Sequence, residues 1–286
     1  MTERQLAGRL KQYDSQEARS IVRLLLYDLF GFTLTDICLG KLEQLSADYR
    51  LKLENCIQRL EQGEPIQYVT GKTHFCGREF HVEHGVLIPR IETEILCEII
   101  INNISTLRAN KEIPIRILDI GTGSGCIATT LAKEIENSQV TAWDISDEAL
   151  QIASNNSKKL GAKVTYEKTD ILHIQEPQTF SAPQYDIIVS NPPYVCYAEA
   201  ADMEKHVLEH EPHTALFVPD EEPLLFYQAI TEYATKSLKN GGRLYFEINP
   251  LYSEEMTKMM ATYGFKDVNT HLDQFGKIRF VSASFT

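Results

Sequence analysis

The chain has 286 residues, 43% of them hydrophobic, which is enough to bury a core in one large domain or in one large and one small domain. Acidic residues outnumber basic ones 40 to 28 and no dense Lys/Arg run occurs, so nucleic acid is disfavoured as a partner, since phosphate binding leans on clustered positive charge. The six cysteines, Cys38, Cys56, Cys76, Cys97, Cys126 and Cys196, form no C-x-x-C pair and no metal-type spacing, so no metal is expected and they read as small buried thiols of a reducing compartment.

Residues 1–63 read as helical. Asp14 and Glu17 have capping-box spacing, and Ala18, Ile21, Val22, Leu25 and Leu29 then share one face up to Gly31. Ser46 opens a second strong helix with Tyr49, Leu53, Ile57 and Leu60 on one side, closed by Gly63 and Pro65. Short helices near 3–12 and 35–44 complete a small bundle. The stretch Met1 to Tyr13 lacks an apolar signal core and a transit-peptide pattern, and no run reaches bilayer length, so a cytoplasmic protein without a membrane partner is expected, as a monomer.

From Gln67 to Pro89 turn residues alternate with short β-like pieces, and Phe80–Val82 with Val86–Ile88 predicts a hairpin between two domains. The expected organisation is a helical domain over 1–70, a hairpin linker over 71–92 and an α/β domain over 93–286. Pro89 to Glu94 leads into an apolar helix, about Thr93 to Ile104, with acids in its first turn. Strands are predicted at 115–120, 139–144, 163–168, 185–190 and 243–248, and helices at 125–136, 147–160, 222–238 and 253–263, the last two capped by Gly241 and Gly264. That alternation implies a parallel sheet with helices on both faces. Lys266 to His271 and Ile278 to Ser284 predict an antiparallel pair at the sheet edge.

The first of these strands ends in Asp119-Ile120-Gly121-Thr122-Gly123-Ser124-Gly125-Cys126, a glycine-rich turn opening a helix. Such a turn lets the backbone approach a ligand and offers unpaired N–H groups, although a tight turn with no ligand has the same sequence. Its last position departs from the dinucleotide fingerprint, which wants Gly or Ala where Cys126 stands, and this argues against a nicotinamide-dependent oxidoreductase. Asp144 ends the second strand, where an acid can accept from both hydroxyls of a ribose; its bland role is a helix cap, which Ser146 could fill instead. Asp170, followed by Ile171, lies just after the third strand and could face a base. The fourth strand stops in Asn191-Pro192-Pro193-Tyr194. Two prolines cannot continue a strand, so an amide, two rigid rings and a phenol are held stiffly at its carboxyl end.

Together these residues resemble the class I S-adenosylmethionine-dependent methyltransferases. Gly63 to Tyr68, Phe75-Cys76-Gly77 and Leu87 to Glu94 narrow the resemblance to the HemK/PrmC family, which methylates a glutamine side-chain nitrogen in peptide chain release factors. Glu211-Pro212, Ala215-Leu216, and Asp273 with Gly276 and Arg279 are also similar to family positions. Ile91 departs from the family's usual Pro, and Phe217 to Pro223 lacks the glycines usual there. The resemblance implies a Rossmann-like seven-stranded sheet with an antiparallel last strand plus a small N-terminal helical bundle. It implies S-adenosyl-L-methionine as cofactor, held by Gly121, Thr122, Gly123, Ser124, Gly125, Asp144, Asp170, Ile171 and Asn191, with S-adenosyl-L-homocysteine as product. Asn191, Pro192 and Tyr194 are the implied catalytic residues, and Pro193 joins them in holding the amide. Other readings stay open: a ribosomal protein as the glutamine substrate, an adenine-N6 DNA or RNA methyltransferase, and a binding module without catalysis. The helical domain is either the substrate-recognition domain or structural packing.

Overall fold

The computed structural model describes residues 2–107, 112–174 and 184–286. It divides into two compact units, one made of Met1–Thr73, Val82–His84 and Met203–His210, the other of His74–His81, Gly85–Asp202 and Glu211–Thr286.

The first unit holds α1 (Glu3–Ala7), α2 (Ser15–Phe30), α3 (Leu34–Cys38), α4 (Ala47–Glu61) and α5 (Ile66–Thr70). Asp14 caps α2 by accepting from the backbone of Gln16 (2.8 Å) and Glu17 (2.9 Å). The reciprocal capping boxes are found elsewhere, at Thr2 with Gln5 and at Thr33 with Asp36. Gly31 ends α2 at φ +67°, a left-handed conformation open to glycine without a steric penalty. Val22, Leu25, Leu26, Leu53, Ile57 and Leu60 are fully buried in the core between α2 and α4. Cys38, at the end of α3, is exposed and Cys76 is half-buried, against the expectation that every cysteine is core; the other four are buried.

A two-stranded hairpin follows, β1 (Lys72–Phe75) and β2 (Arg78–His81). The predicted pairing partner Val86–Ile88 is not a strand: Cys76 and Gly77, both at positive φ, form the turn one step earlier in the chain.

The second unit continues with α6 (Ile91–Leu107), β3 (Ile115–Ile120), α7 (Cys126–Glu134), β4 (Ser138–Asp144), α8 (Asp147–Lys159), β5 (Val164–Lys168), β6 (Tyr185–Ser190) and β7 (Val195–Cys196). After α9 (Lys205–His210), which belongs to the first unit, come β8 (Phe217–Val218), α10 (Leu225–Ser237), β9 (Leu238–Glu247), α11 (Ser253–Thr262), β10 (Lys266–Leu272) and β11 (Ile278–Ser284). Seven strands form one sheet in the order β10-β11-β9-β6-β3-β4-β5, with β11 antiparallel to both its neighbours and the five from β9 to β5 parallel. Period-two alternation sends Ile117, Val189 and Tyr245 to the face covered by α6 and α7, and Leu118, Ile188 and Leu244 to the face covered by α10 and α11. Helix α10 stops at Ser237, short of the expected Gly241 cap, because Leu238 already pairs with Tyr185 of β6. Gly241 instead lies inside β9, where its N–H donates to the Phe285 carbonyl (2.7 Å).

The order turns around at β3: the chain proceeds outward through β4 and β5 on one side and through β6 and β9 on the other. Ligands of open α/β sheets bind outside the carboxyl ends of the strands at such a switch point. Ile120 pairs with Ser190, and the Ser190 hydroxyl donates to the Ile120 carbonyl (2.6 Å), so the two strands end level. Gly121 and Asn191 leave the sheet side by side.

Candidate active site

The loop after β3 is held from beneath by Asp119, which is fully buried. Its Oδ2 accepts from the Thr122 hydroxyl (2.7 Å) and the Ala128 N–H (3.1 Å), while Oδ1 has no hydrogen-bond partner among the described residues. Burial pushes this carboxyl up to about 7. The three glycines do different jobs. Gly121 (φ +73°) and Gly123 (φ +53°) face open space, since a Cβ on either meets nothing within 4 Å. At Gly125 a Cβ would stand 2.8 Å from the Ala153 Cβ and 3.1 Å from the Tyr166 hydroxyl. This glycine lets α7 start against α8, and it does not line the cavity.

Asp144 ends β4 with its carboxylate turned back toward the loop. Oδ2 accepts from the Gly123 N–H (2.8 Å) and Oδ1 from the Ser146 N–H (3.0 Å). Ser146 caps α8, accepting from Ala149 N (3.2 Å), so Asp144 is released from that duty. Burial raises the Asp144 carboxyl above the usual range, opposed by those backbone donors. A carboxylate has about four acceptor positions, so acceptor capacity remains for a ligand beside these backbone donors. Asp170 is more committed: Oδ1 accepts from Leu172 N (2.9 Å) and Oδ2 meets His173 Nδ1 (2.8 Å).

A cavity of about 430 Å³ joins these pieces, lined by Gly121, Thr122, Gly123, Ser124, Asp144, Asp170 and Ile171 at one end and by Ser190, Asn191, Pro192 and Pro193 at the other. Tyr194, expected as a wall of this space, is not part of its lining; its hydroxyl donates to Glu247 Oε1 (3.2 Å) and its ring packs on the core under α10 and α11. Burial and the neighbouring Glu247 carboxylate push the Tyr194 phenol up. The aromatic wall comes instead from Tyr197 stacked on Phe217 (ring centroids 4.9 Å apart, 9° between planes), with His213 edge-on to Phe217 (5.3 Å). Arg90 and Pro212 also line the cavity, and Arg90 Nη2 donates to the buried Glu211 carboxylate (2.6 Å), whose other oxygen accepts from Ile88 N (3.2 Å).

Sequence reasoning passed over Thr93, which reads as a helix start, and Glu247. A lone acid in the apolar strand Leu244-Tyr245-Phe246-Glu247-Ile248 is a signal that could have found the second. Among the described residues no cluster of His, Cys, Asp and Glu is placed to hold a metal, and no helix is long and apolar enough to cross a membrane.

The pocket fits a nucleoside with a charged tail. Its volume lies in the range of small-molecule sites. The two glycines leave backbone open to a ligand, Asp144 keeps acceptor capacity for a vicinal diol, and no basic side chain from the loop competes for a cationic centre. Residues 113–275 match the family described as "Methyltransferase domain", and residues 4–71 match the "PrmC N-terminal domain". The sheet is shared with the T. thermophilus 16S rRNA N2 G1207 methyltransferase solved with AdoMet and guanosine (17% identity, TM-score 0.52, 75% of this chain and 50% of that one). It is shared also with a methyltransferase from Pyrococcus furiosus (18% identity, TM-score 0.51, 73% and 89%). Fold and site are those of a class I methyltransferase that uses S-adenosyl-L-methionine.

The chain is 46% identical to the release factor glutamine methyltransferase of Bacteroides thetaiotaomicron, over 95% of this chain and 94% of that one. It is 40% identical to that of Flavobacterium psychrophilum (96% and 94%) and 37% identical to that of Streptococcus pneumoniae (95% and 92%). It belongs to the release factor glutamine methyltransferase family.

Proposed function

We infer that the enzyme transfers a methyl group from S-adenosyl-L-methionine to the side-chain amide nitrogen, N5, of a glutamine in the Gly-Gly-Gln loop of peptide chain release factors, modulating translation termination. The observation that carries this reading is the end-to-end match to the release factor enzymes, combined with Asn191-Pro192 standing beside the glycine-rich loop at the switch point.

The assigned residues divide the cavity. Gly121, Thr122, Gly123 and Ser124 offer backbone and hydroxyl groups to the cofactor's tail, Asp144 takes the ribose, and Asp170 with Ile171 borders the base. Gly125 supports the loop through its contact with Ala153. When bound there, S-adenosyl-L-methionine would supply an electrophilic methyl on a sulfonium, with S-adenosyl-L-homocysteine as the product. A glutamine amide is a weak nucleophile because its lone pair is delocalised into its carbonyl. Asn191 Oδ1 and the Pro192 carbonyl accept the two amide hydrogens and fix the nitrogen. Positive charge growing on that nitrogen is stabilised by the two fixed dipoles, so no strong base is required, and the surplus proton leaves the nitrogen after transfer. Pro193, with Tyr197 and Phe217, excludes water from the amide plane, and Tyr194 acts from behind, through Glu247.

Residues 1–70 are assigned to recognition of the protein substrate, 71–92 to the linker and 93–286 to catalysis. The enzyme acts as a monomer in the cytoplasm without direct contact to nucleic acid, in keeping with its formal charge of −12. Incubation with methyl-labelled S-adenosyl-L-methionine and purified release factor, followed by mass spectrometry, is expected to place the label on the glutamine of the Gly-Gly-Gln loop. Label on a ribosomal protein or on nucleic acid, with the release factor unmodified, would overturn the assignment.

A further inference from the structure

Behind Asn191 a chain of hydrogen bonds runs into the protein and ends on a buried acid. Asn191 Nδ2 donates to the Thr93 hydroxyl oxygen (3.3 Å), and the Thr93 hydroxyl donates to Glu247 Oε2 (2.6 Å). The other carboxylate oxygen of Glu247 accepts from the Tyr194 hydroxyl (3.2 Å), and the Glu247 carbonyl accepts from the Tyr227 hydroxyl (3.0 Å). Thr93 and Glu247 are each 2% exposed. One carboxylate thus grips the first residue of the tetrapeptide through Thr93 and the last one directly.

The direction of this chain follows from donor counting. An ionised carboxylate can only accept, and a threonine hydroxyl has a single hydrogen. Glu247 claims that hydrogen, so the Thr93 oxygen can only accept from Asn191. The amide of Asn191 must then turn its NH₂ inward and its oxygen toward the cavity, where the proposed mechanism needs an acceptor. With the hydroxyl hydrogen free, the amide could bind Thr93 in either orientation, and one of the two presents a donor to a substrate nitrogen that itself has two hydrogens to donate. Buried hydrogen-bond chains also polarise one another, so negative charge at Glu247 strengthens Asn191 Oδ1 as an acceptor while positive charge grows on the substrate nitrogen.

We propose that Thr93 and Glu247 are positioning residues for methyl transfer, setting the polarity of the Asn191 side chain so that it accepts from the glutamine amide. This rests on the assignment of Asn191 as the amide holder. It adds Thr93 from α6, at the edge of the cavity lining, and Glu247 from β9, which lies outside that lining.

The charged and titratable groups facing Glu247 are Tyr194 and Tyr227 on their hydroxyls, Arg279, whose charge favours the ionised form, and Glu92, which opposes it. Burial is the largest influence and raises the Glu247 carboxyl. Protonation would turn Glu247 into a donor toward Thr93 and release the constraint. Turnover should therefore show an acid limb, with activity falling as pH drops through the raised value.

The test uses the full enzyme with purified release factor. Thr93→Val, isosteric but without the hydroxyl, is expected to lower kcat about tenfold to hundredfold, the scale of one charge-assisted hydrogen bond, with S-adenosyl-L-homocysteine affinity by calorimetry within about twofold of wild type. Thr93→Ser should restore kcat to within about threefold of wild type, because it restores the hydroxyl. Glu247→Gln should lower kcat and flatten the acid limb. A readout independent of turnover is the ¹⁵N–¹H signal of the Asn191 side-chain amide, identified by its loss in Asn191→Ala, which should shift in Thr93→Val and stay in place in Thr93→Ser. Wild-type kcat in Thr93→Val, or equal impairment in Thr93→Val and Thr93→Ser, would overturn the relay. Retained turnover in Asn191→Ala would instead bring down the assignment of Asn191 itself, which keeps the two failures distinct.

Discussion

The two ends of the cavity are built in opposite ways. At the glycine-rich end, Asp119, Thr122, Gly123, Asp144 and Ser146 make every bond described above among themselves or with the starts of α7 and α8, inside one β-loop-α-β-α stretch. At the Asn191 end the supporting groups come from α6, β9 and the segment after β6, with 154 sequence positions between Thr93 and Glu247. The first end uses backbone N–H groups, whose positions follow once a few φ angles are set. The second uses side chains whose polarity is meaningful only when the whole sheet is assembled. Support for the glycine-rich loop is encoded locally, while support for the Asn191 side chain needs the tertiary fold.

Breaking the long-range end should have the largest effect. Asn191→Ala should lower kcat by about 10²–10³-fold, the scale of a lost preorganised dipole, while S-adenosyl-L-homocysteine affinity changes little; single-turnover kinetics and calorimetry measure the two.

Next in size is a stability effect at the local end. The raised Asp119 carboxyl, at about 7, favours the folded state most when protonated, so its contribution is present below the ordinary aspartate range and is lost as pH rises through about 7. Asp119→Asn removes that loss. The stability of the variant relative to wild type, from denaturant titration, should rise by a few kcal/mol between about pH 4 and about pH 8. A difference flat with pH would remove Asp119 as a buried titrating group.

Asp144→Ala should invert the Asn191→Ala pattern. Cofactor affinity should fall about tenfold to hundredfold for the lost carboxylate, with a smaller change in kcat at saturating cofactor, and unchanged affinity by calorimetry would take Asp144 out of the site.

The glycines sharpen the contrast at the smallest scale. Gly125→Ala should destabilise by about 1–3 kcal/mol, because its Cβ meets the Ala153 Cβ. Gly121→Ala should cost about 1 kcal/mol from its positive φ alone and should be felt chiefly in cofactor affinity. Thermal melts with and without S-adenosyl-L-homocysteine separate the two.

Much of this was legible in the residues. Strand boundaries for β3 and β6, the glycine-rich turn and the placement of Asp144 and Asn191 at the carboxyl ends of strands follow from apolar runs ended by Gly, Asp or Asn-Pro-Pro, because a strand stops where its backbone loses donors or allowed φ. The start of β9 was not legible, since Gly241 carries a helix-cap signal that pairing of Leu238 with Tyr185 overrides. The hairpin partner of Phe80 was misplaced because Lys72–Phe75 has too little β character to announce itself beside Val86–Ile88.

The sequence by itself determined the alternating α/β order, the helical N-terminal segment, the glycine-rich loop after β3 and the Asn191-Pro192-Pro193-Tyr194 turn after β6, all of which rest on periodicity and on backbone constraints acting within a few residues. Only the tertiary structure decided that Gly125 packs near Ala153 outside the cavity lining, that Tyr194 turns away from the cavity, and that Thr93 and Glu247 join Asn191 in one hydrogen-bond chain. Those outcomes depend on which distant side chain fills a given space and which lone hydrogen a buried carboxylate takes, and such choices exist only after the strands have been brought into register.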